Sequence, residues 1–490
     1  MSDQPEQLQK PRPRRWRKVL VILVGLVVLL ALSGWIYNYV GRTRLDDAIR
    51  TARAQGLPVT FADIENEMKQ WPENQNGAKI VLDMAERLGE INRQGSELDL
   101  PILGAFLNPS LGTKWTDAVQ NKVDVELARW ADDIAQIDKV LNYERGWLTA
   151  DLTPFPFGPV YAGDYATLRT AVRLKALQIE VNANRGKTDE LASDVDVMLR
   201  LGRFVNQPPF VIGSLIEAAL NALTFFQVET VCALAHPSDD QLVALDHLLA
   251  EIDLLVSFQA SLVGERAYTI GTAQPFTRLI PRELRFEPIT CTTDGCSHSH
   301  TLTWIPGIAG WHIRNHTQTL DALTRALAVE ADPQNPHRFY TELRRQLEPR
   351  DSSYHLSNNL LASLSRALKI TNRSVAEVTC ARVALAAERY RLATGDFPET
   401  LDQLAPDYLE ELPHDPFNGQ PLRYTVSADH VIIYSVGEDL TDDGGDVERR
   451  LHDRRERPKD FGFVLLPVEK RGQPPATQTA PASNGEDLSL

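Results

Sequence analysis

Four carboxylates crowd into eight residues at Asp439, Asp442, Asp443 and Asp446, beside the glycines Gly437, Gly444 and Gly445. Calcium takes about six to eight oxygen ligands at about 2.3–2.6 Å, mixing carboxylates with carbonyls that a glycine-rich turn can swing inward. These four aspartates are therefore the expected calcium ligands, and the competing reading is a solvated acidic turn without a fixed ion. An EF-hand loop is excluded. Counted from Asp439, its twelfth position is Arg450, where a bidentate glutamate belongs. A second cluster, Cys291-Thr292-Thr293-Asp294-Gly295-Cys296-Ser297-His298-Ser299-His300, offers a short disulfide between Cys291 and Cys296 across the glycine turn. Zinc held by the two cysteines with His298 and His300 is the alternative, and free thiols are the third. Cys232 and Cys380 sit in apolar helical stretches and read as small buried hydrophobes. Glu217 and Asn221 lie one turn apart in the most apolar helix, and Glu265-Arg266 lie in another. A glutamate in such a place is either an acid of raised pKa or a buried partner that sets helix register. His312, His316 and Asp321 read as solvated polar side chains of one helix. The chain carries no H-E-x-x-H, G-x-S-x-G, Walker lysine loop or C-x-x-C. No catalytic residue is assigned, and the chain reads as non-enzymatic.

What positions these groups begins with a run of 23 uncharged residues, Val19 to Gly41. As a helix it is roughly 35 Å long at about 1.5 Å per residue, enough for a hydrocarbon core of about 30 Å. Lys10, Arg12, Arg14, Arg15, Arg17 and Lys18 precede it, which predicts a cytoplasmic N-terminus. Trp16 marks one edge, and Trp35, Tyr37 and Tyr39 the other, where rings with an apolar body and a polar tip settle. A cleaved signal with Ala31-Leu32-Ser33 as its site is the rival reading. Either way the bulk of the chain is expected outside the cytosol; with the anchor uncleaved it is periplasmic and attached to a cell inner membrane. The net charge is −15, and the exported part is more acidic still once the basic tail is set aside, which argues against nucleic-acid binding.

The expected fold is mainly α. A basic tail (1–18) and the anchor (19–41) lead into an extracytoplasmic helical domain at 42–370, a bundle or irregular solenoid of helical hairpins. Apolar spacing predicts helices around Ala78–Leu88, Leu168–Val181, Leu191–Val205 and Phe210–Leu234. Asn184-Arg185-Gly186 stops one of them, and Ser238 with Gln241 forms a capping box for the next after Leu234. Pro275, Pro281, Pro288 and Pro306 predict an irregular insertion at 271–318. A small α+β unit follows at 371–466, with strands alternating at Leu422, Tyr424 and Val426 and at Val431 and Ile433, and then a disordered tail at 467–490.

The order of motifs in 371–466 is a helix, Gly395-Asp396-Phe397-Pro398, Leu412-Pro413-His414-Asp415-Pro416-Phe417, Tyr424 in a hairpin, Ser435-Val436-Gly437-Glu438-Asp439, and Gly444-Gly445-Asp446. In this it resembles the soluble domain of the major pseudopilin of type II secretion. The resemblance covers about 90 residues, and implies calcium in the acidic loop, fastening the last strands. The chain departs from that family in lacking a prepilin-peptidase site before Val19 and in the long helical stretch between anchor and unit, so a filament subunit is not expected. The expected role is a single-pass envelope protein whose helical domain binds a protein partner and whose C-terminal module is stiffened by calcium. The alternatives are an accessory component of a secretion or pilus-like assembly, and an envelope enzyme of unrecognised class using Glu217, Glu265 or the 291–300 loop.

Overall fold

The computed structural model describes residues 15–106, 108–148, 160–277, 287–292, 295–299, 306–348, 354–447 and 460–475. It is mainly helical, with a small three-stranded antiparallel sheet and a separate two-stranded ribbon. Two compact units are distinguished. One comprises residues 1–57, 269–321 and 351–359, and the other 58–268, 322–350 and 360–490.

In the first unit, α1 (Arg15–Ala54) is one continuous helix. It outruns the uncharged stretch, which holds no proline to stop it. Residues Lys18–Ala54 are long and apolar enough to cross a membrane, and no residue of their most apolar window is buried. Trp35 stacks on Tyr39, with ring centroids 5.7 Å apart, and the Arg314 guanidinium lies 3.8 Å from the centre of the Tyr37 ring. Beyond the apolar run the helix turns amphipathic, burying Leu45, Ala48 and Ala52.

The second unit opens with α2 (Phe61–Met68), whose Thr60–Asp63 capping box satisfies its first amides. The single helix expected at Ala78–Leu88 is instead α3 (Ala78–Leu82) and α4 (Ala85–Glu97), divided where Met84 leaves helical geometry. Next come α5 (Asp117–Arg129) and α6 (Ala131–Asp138), joined at the fully buried Trp130. The long helices α7 (Val160–Asn184), α8 (Leu191–Val205) and α9 (Val211–Leu234) pack on one another as the centre of the unit. Gly186 follows α7 with φ +72, the left-handed geometry that only glycine adopts without strain. Helix α9 also passes the length and composition test for a membrane span, but 61% of its window is buried, which marks it as a core helix. Helix α10 (Asp239–Ala250) starts on the predicted Ser238–Gln241 box.

Helix α11 (Leu254–Thr277) runs through Pro275, inside the stretch expected to be irregular. The ribbon strands β1 (Glu287–Thr292) and β2 (Gly295–Ser299) follow, then α12 (Pro306–Leu327) and α13 (Pro336–Leu347). Residues 278–286, 293–294 and 300–305 of that insertion lie outside the described residues.

The boundary expected at 370/371 falls inside α14 (His355–Thr394), one uninterrupted helix. Lys369-Ile370-Thr371-Asn372-Arg373 contains neither glycine nor proline, so nothing breaks it. The strands β3 (Arg423–Val426), β4 (Val431–Ser435) and β5 (Phe461–Leu465) pair in the order β3-β4-β5. One hydrophobic core runs from Phe61 through α7–α9 and α14 to Leu465, so segment 371–466 shares its core with the helices. The Glu229 carboxylate of α9 accepts the Val464 amide at 2.7 Å, giving an outward-facing donor of edge strand β5 a partner. Part of the expected tail at 467–490 is structured. Val468–Lys470 forms a 3-10 turn, Gln473 exchanges backbone hydrogen bonds with the 112–114 segment, and Arg471 is buried. Residues 476–490 lie outside the described residues.

Candidate functional site

Two cavities and one loop gather polar groups within the second unit. The larger cavity is a groove of about 660 Å³ lined by α5, α6, α7 and α8. Leu127, Ala128, Ala131, Ile134 and Ala135 form its apolar side, where three alanines leave the room that larger side chains would fill. Its polar rim carries Asp124, Asp138, Arg185, Glu190 and Asp194. Arg185 meets Asp124 at 2.5 Å. Beneath the groove the Lys175 ammonium donates to Asp138 at 2.7 Å and Gln178 at 2.7 Å, and pairs with Asp194 at 2.5 Å. Lys175 is 1% exposed, so all three of its donors are used by protein. Burial pushes the Asp194 carboxyl up to about 6; Lys175 opposes this, and Asp138 and Glu190 add to it.

Deeper on α7, burial pushes Glu180 up to about 8, while an Asn108 amide donating at 2.7 Å works against it. Asn184 donates to the Glu180 carbonyl at 2.8 Å and accepts the Trp115 amide at 2.8 Å. The polar residues of α7 thus pin the connecting segment at Asn108 and Trp115.

The smaller cavity, about 280 Å³, lies where the end of α8, the first half of α9 and the α10–α11 turn meet. Glu217 and Asn221 of α9 face it, as the sequence suggests for a buried acid. The Ser257 hydroxyl donates to Glu217 at 2.5 Å, and the Asn206 amide donates to that hydroxyl at 2.7 Å. Burial drives the Glu217 carboxyl up to about 7, against the hydrogen bonds of Ser257 and Asn206 and the charge of Arg203. Glu265 does not line this cavity; it accepts the Val211 amide at 3.4 Å, and Arg266 donates to the Pro58 carbonyl at 2.6 Å.

The acidic loop is shaped by its own hydrogen bonds. Asp439 accepts the Thr441 amide at 3.0 Å, and Asp442 accepts both the Gly444 amide and the Tyr434 hydroxyl at 3.0 Å, with Arg423 3.3 Å away. Among the described residues no group of three or more His, Cys, Asp or Glu side chains stands at metal-ligand spacing. Asp460, fully buried, joins the loop by accepting the Gly445 amide at 2.9 Å. Among the described residues its other carboxyl oxygen has no hydrogen-bond partner, and burial followed by the charges of Asp443 and Asp442 raises its pKa. The Asp415 carboxylate, from the Leu412–Phe417 motif, accepts the Phe417 amide (2.8 Å), the Ser435 hydroxyl (2.8 Å) and the Val436 amide (3.0 Å), tying that turn to the end of β4. Tyr424 donates its hydroxyl to the Pro398 carbonyl at 2.8 Å, linking two further motifs.

Cys291 and Cys296 are directly opposed partners of the β1–β2 ribbon. Their side chains, with those of His298 and His312, lie outside the described residues, as does His300. Cys232 and Cys380 are buried, and the Cys380 thiol donates to the Phe461 carbonyl at 3.6 Å. Lys175, Asp194, Asn206, Ser257 and Asp460 were not singled out from sequence. A charge at position 175 inside an apolar helix is the one signal that was available, since such a side chain is buried only with partners. Comparison with family models of known proteins, with curated proteins and with solved structures finds no match.

Proposed function

We propose that this protein is a non-enzymatic, single-pass envelope protein anchored by α1 with its N-terminus in the cytoplasm, and that its helical unit binds a protein partner in the groove of α5–α8. The observation that carries the reading is the groove itself. An alanine-lined apolar strip fits a peptide with small or aliphatic side chains, and a rim richer in Asp and Glu than in Lys and Arg favours a basic flank. A photo-crosslinking amino acid placed at Ala131 or Ala135 in membranes gives a discrete adduct, and one placed at Glu86 of α4 gives none. Silence from both groove positions overturns the reading.

The same reading places calcium at the acidic loop, with Asp439, Asp442, Asp443 and Asp446 as its carboxylates. Support comes from the motif order shared with the major pseudopilin and from Asp460, whose unmet buried oxygen would be relieved by a cation. Chelation by EGTA lowers the thermal midpoint and calcium restores it; a midpoint indifferent to both removes the ion from the proposal. A cystine joining Cys291 to Cys296 belongs to the same exported location. The accessory role in a secretion or pilus-like assembly is the second reading, favoured by the bonds that join the shared motifs through Asp415 and Tyr424. It predicts that the protein co-purifies with pseudopilins, and normal secretion in a deletion strain counts against it.

A further inference from the structure

The 280 Å³ cavity is a separate feature from the groove, and its chemistry is one-sided. Three carboxylates line it: Glu217 from α9, Glu251 closing α10 and Asp253 opening α11. One guanidinium, Arg203 of α8, stands against them, and it also reaches toward Asp196 at 4.0 Å and Glu251 at 4.0 Å. Helices α8 and α10 both end at the cavity, with Asn206 and Glu251 as their C-terminal caps. Carbonyl ends of helices carry partial negative charge and favour cations. The positive end of α11 is already used, because Asp253 accepts the Val256 amide there at 3.0 Å. Only Glu217 among the three acids is held in the wall, 4% exposed, with a serine and an asparagine fixing its orientation. Leu199, Leu248, Ile252 and Val256 supply the rest of the lining, an apolar surface suited to a short hydrocarbon body.

We propose that this cavity binds a small aliphatic amine, with the ammonium group taken by the Glu217 carboxylate and the hydrocarbon body lying against Leu248, Ile252 and Val256. A carboxylate buried beside two helix C-termini lacks a full counter-charge, and an ammonium supplies it together with three hydrogen-bond donors. A neutral alcohol of the same length offers donors without charge, and a dicarboxylate brings the wrong sign. Binding is linked to the proton on Glu217. That carboxyl titrates near neutrality, facing Arg203 from α8, Glu251 from α10 and Asp253 from α11, and a bound cation favours its ionised form. The amine therefore displaces a proton around pH 7 and binds more tightly as pH rises through that value.

The test is calorimetric titration of the full chain in detergent micelles with n-butylamine and 1,4-diaminobutane, against 1,4-butanediol and succinate. Amine binding is expected, with affinity rising from pH 6 to pH 8 and an enthalpy at pH 7 that depends on the ionisation heat of the buffer. The diol and the diacid give no binding. Glu217→Gln keeps the shape of the wall and weakens amine binding about 10- to 100-fold. If that variant fails to fold, Glu251→Gln, at a rim side chain 67% exposed, weakens binding severalfold while the wild-type proton release stands on its own. Absence of amine binding at millimolar concentration, equal binding of the diol, or a Glu217→Gln protein that binds as well as wild type each overturns the proposal.

Discussion

Replacing Arg471 by Met lowers the stability of the folded chain by about 3–5 kcal/mol, the loss expected when one partner of a buried ion pair is removed. The guanidinium is fully buried and meets Glu388 as a two-pronged fork, at 2.6 and 2.7 Å, while its Nε donates to the Leu466 carbonyl at 2.8 Å. Glu388, 1% exposed, would keep only Arg391, at 2.7 and 3.0 Å. Burial alone would raise the Glu388 carboxyl, but the hydrogen bonds and charges of Arg471 and Arg391 outweigh it and hold the group below its ordinary value. A carboxyl whose folded pKa is depressed stabilises above its unfolded pKa and loses that contribution as pH falls through the folded one. The penalty of Arg471→Met is therefore largest at neutral pH and shrinks in acid. Urea titration followed by circular dichroism checks this, with Arg471→Met/Glu388→Met as the companion. The double variant recovers part of the loss, because it removes the buried carboxylate along with its partner and leaves only Arg391, 12% exposed, to turn toward water. An unchanged urea midpoint in Arg471→Met would show that the fork contributes nothing.

That fork also explains why the chain's end was misread from composition. The stretch from Gln473 onward is rich in Pro, Thr, Ala and Ser, and such a stretch cannot bury itself. What holds residues 467–475 is long-range: an arginine reaching a glutamate 83 positions earlier, and backbone bonds from Gln473 to the 112–114 segment. No local pattern announces a pair so far apart. Features set by near neighbours were legible: the apolar N-terminal helix, the Ser238–Gln241 box, the glycine stop after α7, and the two alternating strands that pair as β3 and β4. The unity of α14 was obscured because motif resemblance suggested a module border where helix physics supplies no breaker. For the candidate sites, Glu217 stood out because an acid in an apolar helix breaks the pattern. Its partners Ser257 and Asn206 did not, being ordinary polar residues at helix ends.

The groove rests on a similar long-range arrangement, and it gives the second large effect. Lys175→Met is expected to cost about 3–5 kcal/mol at pH 8, because it strands a buried aspartate. Of the two carboxylates on Lys175, Asp138 has a side chain 39% exposed and can turn to water, whereas that of Asp194 is only 5% exposed. The penalty therefore falls on Asp194, and protonation is its one remedy. With Lys175 in place burial already holds Asp194 up at about 6, and removing the ammonium lifts it further. An aspartate with a raised folded pKa binds its proton more tightly in the folded state, so stability rises as pH falls through that value toward the ordinary range near 4. The gap between wild type and Lys175→Met is consequently wide at pH 8 and narrows toward pH 5. Glu180 and Glu217, raised to about 8 and about 7, titrate in both proteins and drop out of the difference. Urea midpoints of the two proteins at pH 5, 6.5 and 8 decide the matter. A gap that stays constant with pH would mean that Asp194 is not the group left stranded, and that Lys175 holds the groove through packing of its methylene stem instead.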